Sequence, residues 1–280
     1  MRSLKLMAFL SFAGMLLFSC EKKENNAAEE PETEKTITNE TVSENEVSYT
    51  FEGKKFKSYV YFKGDTTSLK PVVLVVPEWW GVNDYAKSRA KQLADLGYFA
   101  MAVDFYGDGK VVDNPGDAQK LATPFYENPD LGKQAYDAAK SELSKFPHAD
   151  ISKMAIIGYC FGGAQALNMA RQDANLKGAV SFHGSLMTGV KPNNNSVKIL
   201  VLNGEADSFV SVEEIAGFKA EMDSAKIDYT FINYPGAVHA FTNPQSTEVG
   251  KKFDMKIAYD KNADEKSWKE LEGFLTDVFQ

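Results

Sequence analysis

The run from Val72 to Val76 is continuously apolar, contains four valines and follows directly on Pro71. Short β-branched runs without polar alternation are typical of strands that are covered on both faces, as at the centre of a parallel sheet. An apolar pattern with helical spacing comes next and stops at Gly97, where the apolar strand Tyr98–Val103 begins. This part of the chain therefore predicts a β-α-β unit, and with it an α/β fold.

The alternation of strands and helices continues to the C-terminus. Further strands are predicted at Met154–Gly158, Gly178–Phe182, Lys198–Leu202 and Tyr229–Tyr234, and helices around Asp130–Phe146, Gly162–Arg171, Val212–Met222 and Trp268–Val278. Two amphipathic strands, Val47–Phe51 and Phe56–Lys63, precede the first parallel strand and are joined by a Gly53-Lys54 turn. We therefore predict one doubly wound, mostly parallel sheet with an N-terminal antiparallel hairpin.

The N-terminus has the pattern of a signal peptide. Arg2 and Lys5 precede an apolar run from Leu6 to Phe18, which is too short to span a bilayer. The run ends in Ser19-Cys20 and resembles the lipobox of bacterial lipoproteins, in which the cysteine is lipidated and becomes the new N-terminus. The alternative is an ordinary signal peptide with an incidental cysteine. The lipobox predicts a protein held at the bacterial cell envelope by lipid.

Residues 21–46 contain nine glutamates, three lysines and almost no large apolar side chain. Such a segment cannot offset the entropy lost on ordering it, so we predict a flexible acidic tether. It carries most of the formal net charge of −8, which leaves the rest of the chain mildly acidic. The predicted organisation is a signal peptide at 1–20, the tether at 21–46 and one folded domain at 47–280.

Composition excludes several classes of function. Asp and Glu number 39 against 31 Lys and Arg, and only three of the latter are arginine, so no large basic face is available for nucleic acid. Two cysteines and three histidines are too few for a cysteine-rich zinc site or a histidine-rich metal centre. We predict no metal, no organic cofactor, and contact with the membrane only through the lipid. No oligomeric state is predicted.

The segment Gly158-Tyr159-Cys160-Phe161-Gly162-Gly163 lies between a predicted strand and a predicted helix. Glycines around such a turn allow a strained backbone at its apex, where a reactive side chain points out of the sheet. Cys160 is the apex. The helix N-terminus favours its thiolate, and the amide of Phe161 can face a developing oxyanion. The alternative is a small buried cysteine among packing glycines.

Two later strand ends carry an acid and a histidine. Asp207 and His239 follow neighbouring predicted strands, and the carboxyl ends of parallel strands meet at one edge of the sheet. His239 can take the thiol proton, while Asp207 accepts the other ring N–H. Glu205 is the alternative acid and His183 the alternative base. His148 precedes a strand, and we predict no catalytic role for it.

These motifs resemble the dienelactone hydrolases, which are α/β-hydrolases with a Cys-His-Asp triad. The resemblance covers roughly Tyr59 to the C-terminus. Its motifs are Pro-Glu-Trp-Trp-Gly-Val-Asn at 77–83, Gly97-Tyr98 leading to Asp104-Phe105-Tyr106, the turn at 158–163, Gly204 to Asp207, and His239-Ala240-Phe241. The chain order of nucleophile, acid and histidine is also that of the α/β-hydrolase fold. The resemblance therefore implies this fold and a hydrolase.

The resemblance also implies site residues. Glu78 would contact the cysteine and help to deprotonate it when substrate binds, and the backbone N–H of Trp79 would join that of Phe161 in the oxyanion hole. A carboxylate directly after an apolar strand is costly unless it is hydrogen-bonded or used, although a surface loop is the alternative. Relatives that act on dienelactone hold its carboxylate with arginines, one of them four residues beyond the histidine. Asn243 stands at that position.

We therefore expect a hydrolase that attacks an ester or lactone carbonyl of a small molecule with Cys160. Aromatic residues near the site are expected to wall an apolar pocket: Trp79, Trp80, Tyr159, Phe161 and Phe241. Asn243 is expected to face the substrate in the same pocket, and Lys110 or Lys120 could supply a positive charge. The competing interpretations are a broader carboxylesterase or thioesterase, and a non-catalytic surface lipoprotein that binds ligand in the same cleft.

Overall fold

One sheet of eight strands organises the folded part of the chain, which a computed structural model describes for residues 41–64, 68–187, 189–193 and 195–280. The predicted signal peptide, its Cys20 and most of the predicted tether lie outside these residues. The described residues form one compact unit. None of the helices in the described ranges combines the length and apolar character needed to cross a bilayer.

The strands and helices alternate along the chain. The strands are β1 Val42–Phe51, β2 Lys54–Lys63, β3 Lys70–Val76, β4 Phe99–Ala102, β5 Ala149–Tyr159, β6 Gly178–Phe182, β7 Lys198–Gly204 and β8 Asp228–Tyr234. The helices are α1 Asp84–Asp95, α2 Pro115–Glu127, α3 Pro129–Leu143, α4 Phe161–Gln172, α5 Val212–Ala225, α6 Ser246–Phe253 and α7 Lys261–Phe279. The strand order is β1-β2-β4-β3-β5-β6-β7-β8.

The pairing of the strands confirms the predicted fold class. β1 pairs antiparallel with β2, and β2 pairs antiparallel with β4. The remaining pairs, from β4 through β3 to β8, are all parallel. The sheet is therefore mostly parallel, with an antiparallel hairpin at one edge.

Both faces of the sheet are buried, as the run from Val72 to Val76 predicts. Val72, Leu74 and Val76 belong to a core that contains residues of α2, α3, α4 and α5, whereas Val73 and Val75 belong to a core with residues of α1 and α7. Alternate side chains of β3 thus enter opposite layers, which a valine-rich run allows because it has no polar side chain to expose.

The first strand begins earlier than predicted. Residues 42–46, which we assigned to the tether, pair with β2 in continuous register from Val42 opposite Lys63. Glu46 receives a hydrogen bond from the Tyr59 hydroxyl at 3.0 Å and an ion pair from Lys57 at 3.0 Å. An edge strand obtains its hydrogen bonds from its neighbour and can expose polar side chains, so it needs no apolar alternation. Composition alone therefore placed the boundary too late.

Two helices are missing from the sequence prediction. α2 buries only Ala118, Ala122 and Phe125 and contains Pro124, so its apolar pattern is short and interrupted. α6 has eight residues and buries only Ser246 and Gly250. Neither segment carries the apolar stripe that identifies a core helix.

Candidate active site

Cys160 stands at the turn between β5 and α4 with φ 54° and ψ −113°, a conformation that residues with a Cβ rarely adopt. The neighbouring glycines make this turn possible. A Cβ on Gly158 would lie 1.9 Å from the carbonyl oxygen of Gly162, and one on Gly162 would lie 2.2 Å from that of Val76. The Cys160 N–H donates to the Phe182 carbonyl oxygen at 3.0 Å, and the residue is partly exposed. The predicted strained turn is therefore present.

His239 and Asp207 form a hydrogen-bonded pair beside this turn. The distance from His239 Nδ1 to Asp207 Oδ2 is 2.8 Å, and the Asp207 side chain is fully buried. The other oxygen of Asp207, Oδ1, accepts the backbone N–H of Phe209 at 2.8 Å. With Nδ1 bonded to the carboxylate, Nε2 is the ring nitrogen available for chemistry.

The electrostatics of His239 favour its charged form. Burial lowers its pKa, but the charge of Cys160, the hydrogen bonds to Asp207 and Cys160 and the charge of Asp207 together raise the pKa of His239 to about 10. At neutral pH the site therefore favours an imidazolium beside the Cys160 side chain. This is the pairing that activates a cysteine nucleophile.

Glu78 follows β3 and is buried, so the surface-loop alternative is wrong. Its Oε2 accepts a hydrogen bond from Asn243 Nδ2 at 2.7 Å. Burial raises the pKa of Glu78 to about 7, although the hydrogen bond from Asn243 and the charge of His239 act in the opposite direction. A carboxyl group that titrates near neutral pH in a catalytic cleft can exchange a proton there.

Two backbone amides flank the cysteine. The N–H groups of Trp79 and Phe161 make no hydrogen bond among the described residues. Trp79 is fixed by its carbonyl oxygen, which accepts the Tyr106 hydroxyl at 3.0 Å, and Phe161 is the first residue of α4. Two fixed donors without a partner can serve a developing oxyanion.

A cavity of about 380 Å³ contains Cys160, His239 and Glu78 in its wall. The other residues that line it are all uncharged: Trp79, Trp80, Gln119, Ala122, Thr123, Tyr126, Ser185, Phe209, Val210, Ala240, Asn243, Ser246, Val249, Met255 and Ile257. No lysine or arginine lines it in the part of the chain that the structure describes. Its volume suits a small organic molecule.

Much of this wall comes from the two helices that the sequence prediction lacks. Gln119, Ala122, Thr123 and Tyr126 lie on α2 at spacings of three, one and three residues, which places them on one helix face. α6 and the segment after it supply four more wall residues: Ser246, Val249, Met255 and Ile257. The helical spacing on α2 was the available signal, but its alanine, threonine and glutamine do not stand out as core residues.

Three of the aromatic residues predicted to wall the pocket lie elsewhere. Tyr159 is fully buried and stacks on Phe182 with ring centroids 4.6 Å apart. Phe161 packs edge-on to Phe125, and Phe241 packs against Tyr234. These corrections have one cause, because side chains next to the turn and the histidine point into the layers that cover the sheet. Trp79, Trp80 and Asn243 line the cavity as predicted.

The alternative acid and base are not in position. Glu205 is exposed, and Asp207 holds the imidazole. His183 is buried with Nε2 2.8 Å from Thr242 Oγ1, and burial lowers its pKa well below the usual value. His148 is half-buried and does not line the cavity. Neither of the alternatives can take the place of the His239 and Asp207 pair.

The cations considered for the substrate also lie elsewhere. Lys110 and Lys120 are exposed, and Lys120 pairs with Asp117 at 3.2 Å. Arg89 forms an ion pair with Asp264, and Arg171 bonds to Glu221. None of these four cations lines the cavity.

Comparison with known proteins gives one consistent family. The sequence model of the dienelactone hydrolase family matches residues 56–279. Protein usf of Aquifex pyrophilus is 32% identical over 186 residues, which are 64% of this chain and 80% of that protein. A candidate carboxymethylenebutenolidase of Aquifex aeolicus is 31% identical over 194 residues, which are 67% of this chain and 82% of that protein.

A solved structure agrees with these relatives. The crystal structure of a dienelactone hydrolase-like promiscuous phosphotriesterase from metagenomic libraries aligns with a TM-score of 0.79 at 32% identity, and the alignment covers 86% of this chain and 100% of that chain. Fold, motifs and sequence similarity extend over the same residues. The chain therefore belongs to the dienelactone hydrolase family, and it is a hydrolase of lactone or ester bonds.

Proposed function

We propose that the protein cleaves its substrate by covalent catalysis, with Cys160 as nucleophile, His239 as proton carrier and Asp207 as the group that orients it. The observation that supports this most directly is the strained turn at Cys160 beside the 2.8 Å hydrogen bond between His239 and Asp207. A non-catalytic binding protein would have no use for either feature. The family membership supports the hydrolase over that alternative.

The proposed reaction has two stages. The thiolate of Cys160 attacks the carbonyl carbon, and the carbonyl electron pair moves to the oxygen, which the amides of Trp79 and Phe161 stabilise. As the tetrahedral intermediate collapses, the bond to the alcohol oxygen breaks and His239 donates its proton to that oxygen. Water then attacks the resulting thioester with neutral His239 as base, which releases the acid and regenerates the thiolate.

Covalent labelling tests the nucleophile. A chloromethyl ketone analogue of a small neutral ester should inactivate the native protein, and peptide mass spectrometry should find the adduct on Cys160. Cys160 is the one cysteine among the described residues, and Cys20 is the second cysteine of the full chain. Full inactivation with the label only on Cys20, or labelling of Cys160 without loss of activity, would refute the proposal.

The same cavity supports a proposal about substrate charge. A substrate carboxylate is best held by an arginine fork, and here the wall contains the buried carboxyl of Glu78 and no lysine or arginine among the described residues. The amide of Asn243 is already bonded to Glu78. We infer that the protein acts on uncharged esters or lactones, which also fits a broader carboxylesterase.

Neutral lactones should therefore have a higher kcat/KM than carboxylated dienelactones of similar size, by about tenfold or more, since the carboxylate would lose its hydration without gaining a charge-assisted pair with arginine. The measurement compares a dienelactone acid with its neutral amide at one ionic strength. Gln119 is an exposed residue of the cavity wall, and Gln119→Arg should reduce the ratio of kcat/KM for the neutral substrate to kcat/KM for the acid. Arginine at position 243 would instead pair with Glu78. A wild-type preference for the acid would contradict this inference.

We further propose that Cys20 is diacylglyceryl-modified and anchors the domain at the cell envelope. The support is the apolar run that ends in Ser19-Cys20, followed by an acidic segment. Cys20→Ala should move the protein from the membrane fraction to the soluble fraction while its esterase activity persists. Mass spectrometry of the mature N-terminus is the direct check, and an unlipidated N-terminus several residues downstream would disprove the anchor.

A further inference from the structure

Phe209 is an exposed aromatic residue at the mouth of the cavity. The residue is 52% exposed, and it lines the cavity together with Val210. The centroid of its ring lies 4.7 Å from that of His239, with 48° between the ring planes. A large apolar side chain left half in solvent beside a reactive group is a candidate binding surface.

The backbone and the ring of Phe209 have separate contacts. The backbone N–H donates to Asp207 Oδ1 at 2.8 Å, whereas the ring contacts His239. His239 also contacts the buried ring of His183, with centroids 5.2 Å apart. The imidazole therefore contacts one buried ring and one exposed ring. A side-chain substitution at position 209 removes the exposed ring and leaves the main-chain hydrogen bond to Asp207 in place.

The chemistry determines which part of a substrate comes to this ring. In the proposed reaction His239 protonates the alcohol oxygen, so that oxygen lies within hydrogen-bond distance of Nε2 in the reacting complex. The carbon atoms attached to it must then lie next to the imidazole. Phe209 is an exposed apolar side chain of the cavity wall whose ring contacts the imidazole.

We propose that Phe209 determines specificity for the alcohol portion of the substrate, and that the enzyme favours esters of uncharged alcohols that carry an aromatic or similarly flat apolar group. The inference rests on the proposed function, because it uses His239 as the proton donor to the leaving group. An aryl group on the alcohol would stack against the ring and cover it from water. The absence of lysine and arginine from the described wall agrees with a neutral group.

Benzyl acetate and methyl acetate test the proposal. The two esters share an acyl group and have leaving alcohols of similar basicity, so the ratio of their kcat/KM values reports contacts of the alcohol group. The wild type should favour benzyl acetate, and Phe209→Ala should lower the benzyl to methyl ratio about tenfold, the usual size of a lost aromatic contact plus its buried area. Phe209→Tyr keeps an aromatic ring at this position and should retain the wild-type ratio.

Two control variants separate this contact from general effects. Val212→Ala changes a side chain that is 77% exposed and does not line the cavity, so it should leave both activities unchanged. Tyr126→Ala changes a wall residue that contacts Phe161 rather than His239, so it should leave the benzyl to methyl ratio unchanged.

The outcomes distinguish the two levels of inference. Equal loss of both activities in Phe209→Ala would overturn the proposal, because the ring would then serve only to hold His239. An unchanged ratio with full activity would also overturn it. In either case Cys160→Ala would still be inactive if the proposed function holds, whereas activity in Cys160→Ala would refute the function itself.

Discussion

Replacement of Cys160 by alanine is expected to reduce ester hydrolysis by about 10⁴-fold or more, because the variant lacks the proposed nucleophile. Cys160→Ser should leave at most a trace. The raised pKa of His239 favours an imidazolium beside residue 160, and a hydroxyl in that position is far harder to ionise than a thiol. The measurement is kcat/KM for a neutral ester, with circular dichroism to confirm folding.

The histidine and the acid should behave as one unit with the cysteine. His239→Ala and Asp207→Ala should each be severely impaired, and combining either with Cys160→Ala should cost little more. Glu205→Ala is the matched control, since Glu205 is an exposed carboxylate two residues from Asp207. Near-normal turnover in Cys160→Ala would contradict the proposed triad. So would double variants whose loss of activity equals the product of the losses in the single variants.

Removal of the Glu78 carboxyl should change the pH profile of kcat/KM. Burial raises the pKa of Glu78 to about 7, so its carboxylate is present above that pH and is lost below it. His239, with a pKa of about 10, keeps its proton below that value. If Glu78 takes the thiol proton, activity should rise through pH 7 and fall near pH 10. Glu78→Gln should lower kcat/KM by about a hundredfold and remove the limb at pH 7.

Asn243 provides a second test of the same limb. Its amide donates to the carboxylate of Glu78 at 2.7 Å and so lowers the pKa of that group. Asn243→Leu removes the donor, and the acid limb should therefore move to higher pH. If the acid limb of the pH profile stays at pH 7 in both Glu78→Gln and Asn243→Leu, it reports the titration of another group.

The central part of the fold was predictable because its sequence signals are local. The valine-rich run of β3 and the strand ends at β5, β7 and β8 locate the sheet, since buried parallel strands need continuous apolar segments. The edge strand β1 was less visible, because the hydrogen bonds that hold residues 42–46 come from β2. Its polar side chains are typical of an exposed edge strand, and the same composition led us to predict a flexible tether.

The candidate catalytic residues were easier to identify in the sequence than the other residues that line the cavity. Cys160, Asp207 and His239 each follow a strand, and this position in the sequence corresponds to a position in the fold. The orientation of an aromatic side chain has no such signature, and Tyr159 and Phe241 entered the core instead of the cavity. The hydrogen bond between Asn243 and Glu78 joins residues 165 positions apart, and no local sequence pattern predicts it.

The two helices α2 and α6 form much of the cavity wall, yet neither contributes a strand to the sheet or a member of the proposed triad. Their few buried residues mean that substitutions on the cavity side would remove little core packing. Substitutions on α2 and α6 can therefore change the substrate range while the sheet and the turn at Cys160 stay constant. A mutant library confined to the wall positions of α2 and α6 should accordingly yield many folded enzymes with altered selectivity.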